Sequence, residues 1–256
     1  MFTAADIPFL IQLIRFLHIN VHKKPEKWLS LIHEQRKFFI YQIEYLMANC
    51  LNVELLRLLL QYLNDVLYRD EELASQVLFT DDDDSNFIIA LCQACQQILT
   101  EIDDQDNDEE AIDTNRDVQF FHNFWFILEM VTRGINIDGH HRLPDCGNIS
   151  ELFIRFATGQ SFIDFESSNS INSFSAACAC LIRFIQQSDD VNNPKNILTI
   201  FQQTMTIDRL KLTFNKSLAL LSDQQLPIHQ DDDDDGLILR NLHANIDHLY
   251  RYLFSS

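Results

Sequence analysis

Glycine and proline are scarce in this chain, with 5 of each in 256 residues, well below ordinary usage. Few positions can therefore take the positive φ angles and tight turns that a many-stranded fold demands. Helices joined by short polar connections need far fewer. Long apolar runs are missing as well: none approaches the roughly 18 residues of a membrane-spanning helix. No Lys or Arg precedes Arg15, so the basic start of a secretory leader is not expected. Gly-rich phosphate loops, His-Glu-x-x-His, Gly-x-Ser-x-Gly and Glu-x-x-His are all absent. Nothing in the sequence nominates a catalytic pair, and no cofactor is implied.

Basic residues are missing from three acidic stretches. Asp81 to Asp84 form one. Glu101, Asp103, Asp104, Asp106, Asp108, Glu109, Glu110 and Asp113 form the second, and Asp231 to Asp235 the third. These runs hold seventeen acids of a chain whose net charge is -19. The rest is within about two charges of neutral. Such runs stay solvated, because gathering them costs repulsion and desolvation. They keep a protein with 20 phenylalanines soluble. The only basic cluster, "HKKPEKW" at 22–28, is too short to offset them, so nucleic acid is not an expected partner.

What the sequence does contain is helical periodicity almost throughout. A first helix is expected over 6–19, with Ile7, Leu10, Ile11, Ile14 and Leu17 as its stripe and Asp6 as its cap. A second starts at Pro25 and runs on through Trp28, Leu29, Ile32, Phe39, Ile43 and Leu46. A third follows Asn52 and a short fourth follows Asp70. Asp84 or Ser85 is the expected cap of "NFIIALCQACQQILTEI", and Thr114 that of a sixth helix ending at Gly134. Asn148 and Glu151 start a seventh, closed by Gly159. Others are expected over 173–187, from Asn193-Pro194, over 207–222, and from Gly236 to the end. About eleven sequential helices imply an all-α fold. Irregular α-solenoid stacking of the HEAT or armadillo kind is favoured slightly over a large irregular bundle, although no self-similar period is visible. The expected organisation is one elongated domain over 1–256, with a possible internal boundary near 135–147.

Several groups have the residue types of a site. Asp231, Asp233, Asp235 and Gly236, followed by Ile238, resemble the opening half of an EF-hand calcium loop. The bidentate glutamate that closes such a loop is replaced by Leu242, and a helix starting nearby would pull the later ligand positions away. A weaker echo occurs at Asp104, Asp106 and Asp108. His140 and His141 lie near Asp145 and Cys146, but adjacent histidines point apart, and a solvated turn is the better reading. Cys92-x-x-Cys95 falls in the middle of a helix, and Cys178-x-Cys180 projects from two directions. Both pairs are read as core thiols. Phe120, Phe121, Phe124 and Trp125 belong to a helix that is apolar nearly all round. Such a helix is central, or else, where exposed, a partner-binding surface.

The function expected from these features is non-enzymatic. It is that of a helical scaffold or adaptor that binds another protein, with acidic loops steering a basic partner. The alternatives are a calcium-responsive helical protein using Asp231, Asp233 and Asp235, and an enzyme without recognisable local motifs. Reduced thiols and the missing leader suggest an intracellular setting, cytoplasmic or nuclear.

Overall fold

The computed structural model describes residues 6–77, 86–105, 114–133, 148–159, 163, 167–187, 207–223 and 234–254. Among them are eleven α-helices and no strand. The chain divides into two compact units, Met1–Asn136 and Ile137–Ser256.

The first unit contains α1 (Asp6–Lys23), α2 (Pro25–Glu34), α3 (Arg36–Asn49), α4 (Val53–Arg69), α5 (Glu71–Gln76), α6 (Phe87–Gln105) and α7 (Thr114–Arg133). Helix α4 is its centre and packs against α1, α5, α6 and α7. The sequence "VELLRLLLQYLNDVLYR" explains why. Its apolar residues cover more than one face, so Leu55, Leu56, Leu59, Leu60, Tyr62, Leu63, Val66 and Leu67 are all buried. Each buried leucine contributes about 1.5–3 kcal/mol relative to an exposed one. The Asn52 side chain accepts from Leu55 N–H at 2.9 Å and starts the helix. Asp70 starts α5 in the same way, through Leu73 N–H at 2.8 Å. Both use a side-chain oxygen to satisfy an amide that has no partner within its helix. Where α7 meets α4, Asn64 Nδ2 donates to Asn123 Oδ1 at 3.3 Å and Gln119 Nε2 donates to the same oxygen at 3.2 Å.

The second unit contains α8 (Asn148–Thr158), α9 (Ser168–Gln187), α10 (Ile207–Asp223) and α11 (Asp234–Phe254). Helix α8 packs against α9 and α10, and both of those pack against α11. Its core is a phenylalanine cluster: Phe153, Phe156, Phe174 and Phe214 are all fully buried. The small residues Ser173, Ala177 and Cys178 of α9 are fully buried too, and small side chains allow neighbouring backbones to come close. Thr213 Oγ1 donates to Ala157 O at 2.7 Å, joining α10 to α8. Ser175 Oγ donates to Leu242 O at 3.3 Å and accepts from Asn245 Nδ2 at 3.2 Å, joining α9 to α11.

The all-α expectation is met, with differences in several elements. The second expected helix is two helices, interrupted at Gln35, whose φ of -113° and ψ of 26° leave the helical range. No glycine or proline marks the break. The chain bends there because α2 packs against α1 while α3 packs against α6. Helix α1 runs to Lys23 rather than 19, and Lys23 in its last turn is a cation that suits a helix C-terminus. Helix α7 includes Thr114 instead of being capped by it. Helix α9 starts at Ser168, five residues before the expected 173; Ser168 is exposed, while Ser170 and Ile171 in the added turn are buried. Helix α11 starts at Asp234, ahead of Gly236. The expected caps Asp84 and Ser85, the helix at Asn193-Pro194 and the stretch 135–147 beyond Arg133 lie outside the described residues. No helix among the described residues is long and apolar enough to cross a membrane.

Candidate functional site

Two features of the first unit stand out, one polar and one apolar, and α1 carries both. Its sequence, "DIPFLIQLIRFLHINVHK", buries only Ile11, Ile14 and Val21. His18 and His22 lie one turn apart on the face turned toward α4, since residues four apart share a helix face. Asp65 and Arg69 are likewise one turn apart on α4. The four side chains meet between the helices. His22 Nε2 lies 3.0 Å from Asp65 Oδ2 and 3.2 Å from His18 Nε2. His18 Nε2 is in direct contact with the same Asp65 oxygen. The two rings meet edge to face at 4.8 Å.

On the far side of the His22 ring, Arg69 Nη2 lies 3.0 Å from Nδ1. A guanidinium only donates, so Nδ1 accepts and His22 is the tautomer with its proton on Nε2, directed at Asp65. The cluster is half-buried: the side chains of His18, His22 and Asp65 are 20%, 47% and 28% exposed. Two imidazole nitrogens and a carboxylate oxygen thus converge on one point, a donor set suited to a divalent transition ion. A second histidine–carboxylate pair, His33 with Asp70 at 2.5 Å, joins the end of α2 to the cap of α5.

The apolar feature is on the outer side of α1. Phe9, Leu13 and Phe16, at helical spacing, are 68%, 37% and 56% exposed. Trp28 of α2 meets Phe16 edge to face at 6.2 Å and extends the stripe, and Leu31, one turn farther along α2, is 47% exposed. Phe38, Tyr41 and Tyr45 form a comparable line on α3, exposed by 65%, 62% and 40%. Lys23, Lys24 and Lys27, all exposed, lie at the turn from α1 into α2.

The residues singled out by sequence lie elsewhere. Phe120, Phe121, Phe124 and Trp125 are buried in the core of the first unit, with at most 2% exposure, and offer no surface to a partner. The physical reason is that α7 packs against α4, α5 and α6, which cover its aromatic side. Asp231 and Asp233 lie outside the described residues, and Asp235 falls in the first turn of α11. His140, His141, Asp145, Cys146, Asp106 and Asp108 are outside the described residues too. Cys92 and Cys95 on α6 and Cys178 and Cys180 on α9 are buried thiols that form no disulfide. Burial, and then the neighbouring Cys180, push the Cys178 thiol well above its ordinary value, so it stays protonated and unreactive.

Sequence reasoning passed over His18 and His22. Their spacing of four on an amphipathic helix was the available signal. Asp65, 43 residues beyond His22, carries none, because only the packing of α1 on α4 brings it near.

No family model, curated protein or solved structure matches this chain.

Proposed function

We propose that this protein is a non-enzymatic helical scaffold whose first unit docks an amphipathic segment of a protein partner on the outer face of α1 and α2. The observation that carries this reading is the exposed stripe of Phe9, Leu13 and Phe16, continued by the partly buried Trp28 ring against Phe16 and by the exposed Leu31. Contiguous exposed aromatic surface is costly to leave in water and marks interaction sites. Helix-in-groove recognition uses anchors at this spacing. The charge around it specifies the occupant. Residues 1–50 carry six Lys or Arg against four Asp or Glu, in a chain that is otherwise strongly acidic. Acidic flanks on the docked segment therefore complement Lys23, Lys24 and Lys27. Net charge alone suggests a basic partner steered by the acidic runs, and the local balance at this face favours the opposite sign.

Armadillo-like stacking is part of the same proposal. In the first unit the strongest neighbours are three helices apart in sequence: α1 with α4, α4 with α7, and α3 with α6. Taken from α2, the order is short, long, long, and then short, long, long again. Pro25 and Glu71, the two short-helix starts, are 46 residues apart, within the period of about 40–47 residues typical of HEAT and armadillo repeats. The acidic stretches at 81–84 and 101–113 fall within the second triplet, lengthen it, and hide the period from a sequence comparison. An intracellular setting belongs to this reading too, supported by five buried cysteines that form no disulfide.

The test is fluorescence anisotropy with two synthetic amphipathic helical peptides that share an apolar face and differ in having acidic or basic polar flanks. The acidic-flanked peptide binds, salt weakens it, and Phe9→Asp with Phe16→Asp removes it. If neither peptide binds, or both bind the double variant as well as the parent, the docking reading is wrong. If sedimentation shows a dimer that the double variant dissolves, a second copy covers the face instead.

A further inference from the structure

We propose that His18, His22 and Asp65 form a binding site for a divalent first-row transition ion of the zinc type, coupling α1 to α4. The three donor atoms are His18 Nε2, His22 Nε2 and Asp65 Oδ2, and the two histidine nitrogens are already 3.2 Å apart. Tetrahedral zinc with bonds near 2.0–2.1 Å holds its ligand atoms about 3.3 Å from one another. His22 Nε2 and Asp65 Oδ2 are 3.0 Å apart, so a small opening of the cluster admits the ion. Nitrogen-rich borderline donors select zinc, cobalt, nickel or copper over calcium and magnesium, which prefer oxygen. Three protein ligands leave the fourth position to water or to a group from another molecule. This site owes nothing to the aspartate run at 231–235.

Arg69 is the element that opposes the ion, and it makes the inference testable. Its guanidinium donates to His22 Nδ1 and holds the proton on Nε2. Metal binding needs Nε2 free of its proton. The proton must move to Nδ1 by way of solvent, and Arg69 must withdraw from that nitrogen. The cluster is therefore a competition between a guanidinium and a metal ion for one imidazole. The ion adds a cross-link to a helix that otherwise contributes only Ile11, Ile14 and Val21 to the buried interior. Occupancy then raises the unfolding midpoint, since a ligand that binds only the native state stabilises it.

The experiment is calorimetric titration of the full chain with zinc chloride, paired with visible absorption of the cobalt(II)-loaded protein. One zinc per chain binds tightly enough to raise the thermal midpoint. His18→Gln, His22→Gln and Asp65→Asn each weaken it at least tenfold, and Arg69→Gln strengthens it. Loss of affinity at a ligand with gain at Arg69 is a pattern that general unfolding does not produce. Should the ligand variants fold poorly, cobalt decides on the parent protein. A four-coordinate nitrogen and oxygen site gives visible ligand-field bands without thiolate charge transfer. A thiolate-to-cobalt band, unchanged binding in His18→Gln with Asp65→Asn, or no zinc-induced heat overturns the proposal.

Discussion

Phe214 meets four other aromatic rings: Phe153 at 6.4 Å, Phe174 at 5.2 Å, Tyr250 at 5.7 Å and Phe254 at 5.9 Å. It is fully buried, whereas Phe254 is half-buried and also receives the Lys211 ammonium over its face at 5.2 Å. Removing a buried phenyl ring forfeits its transfer energy and leaves a cavity that its neighbours fill only in part. Phe214→Ala is expected to cost about 3–5 kcal/mol, and Phe254→Ala clearly less. Urea unfolding of the two variants checks the ranking, and equal losses would mean that the cluster has no centre. In the first unit, burial alone pushes the Tyr62 phenol up to about 12. The unfolded chain releases that proton near pH 10. Between pH 10 and 12 the unfolded state therefore binds fewer protons than the folded one, and stability falls as pH rises. The contribution is whole below pH 10, and about 2 kcal/mol is gone by pH 12. Tyr62→Phe, having no proton to lose, shows a flatter alkaline decline in urea midpoints. A decline identical to the parent's would assign the effect to other groups.

Asp70 has two duties at the start of a six-residue helix. Its Oδ1 accepts from Leu73 N–H at 2.8 Å, and its Oδ2 pairs with His33 at 2.5 Å. A helix this short is marginal without its cap. Asp70→Ala removes both contacts and is expected to cost about 1–2 kcal/mol. Asp70→Asn keeps a good capping oxygen and loses only the charge, so it should cost less than half as much. Equal costs in denaturant unfolding would place the effect in the ion pair. The start of this helix was legible in the sequence, as was that of the helix after Asn52, because a helix start is a local signal: a polar residue just ahead of an apolar stripe. The stripe of α4 and the buried aromatics of α7 were legible for a similar reason, since periodicity is written into neighbouring residues. Gln35 was not legible. The helical pattern runs straight through it, and the bend exists because α2 and α3 have different neighbours. The start of α9 at Ser168 was hidden likewise, because Ser170 and Ile171 read as a loop until packing buries them. The candidate metal ligands combine both situations. His18 and His22 could have been paired by spacing, while Asp65 belongs to a later helix and joins them only through tertiary packing.

The whole molecule poses a problem of charge. A chain at -19 with pI near 4.6 should resist compaction, because like charges repel more strongly when gathered. Concentrating seventeen of its acids in three runs limits that cost, although five of them, Glu101, Asp103, Asp104, Asp234 and Asp235, belong to α6 and α11. The rest of the chain is then close to neutrality. The same placement accounts for the exposed apolar stripe of α1, since a nearly neutral body with uncovered aromatics would associate with itself unless strongly charged segments held copies apart. These two roles, solubility without a part in folding, have a joint consequence. Replacing Asp81 to Asp84 and Asp231 to Asp235 by asparagine removes nine charges, about half of the net. Urea stability at physiological salt should then move by no more than about 0.5 kcal/mol, as for surface changes away from specific contacts. At low salt the variant should gain slightly, because residual repulsion is relieved where screening is weak. Solubility should move the other way, with precipitation beginning at a higher pH than for the parent and self-association appearing by light scattering. A further Phe16→Asp substitution should suppress that association, because the aromatic stripe is the surface the charge had been protecting. A loss of 2 kcal/mol or more in the asparagine variant would mean instead that the runs make specific folded contacts, and the division between a neutral body and solvated acidic segments would fail.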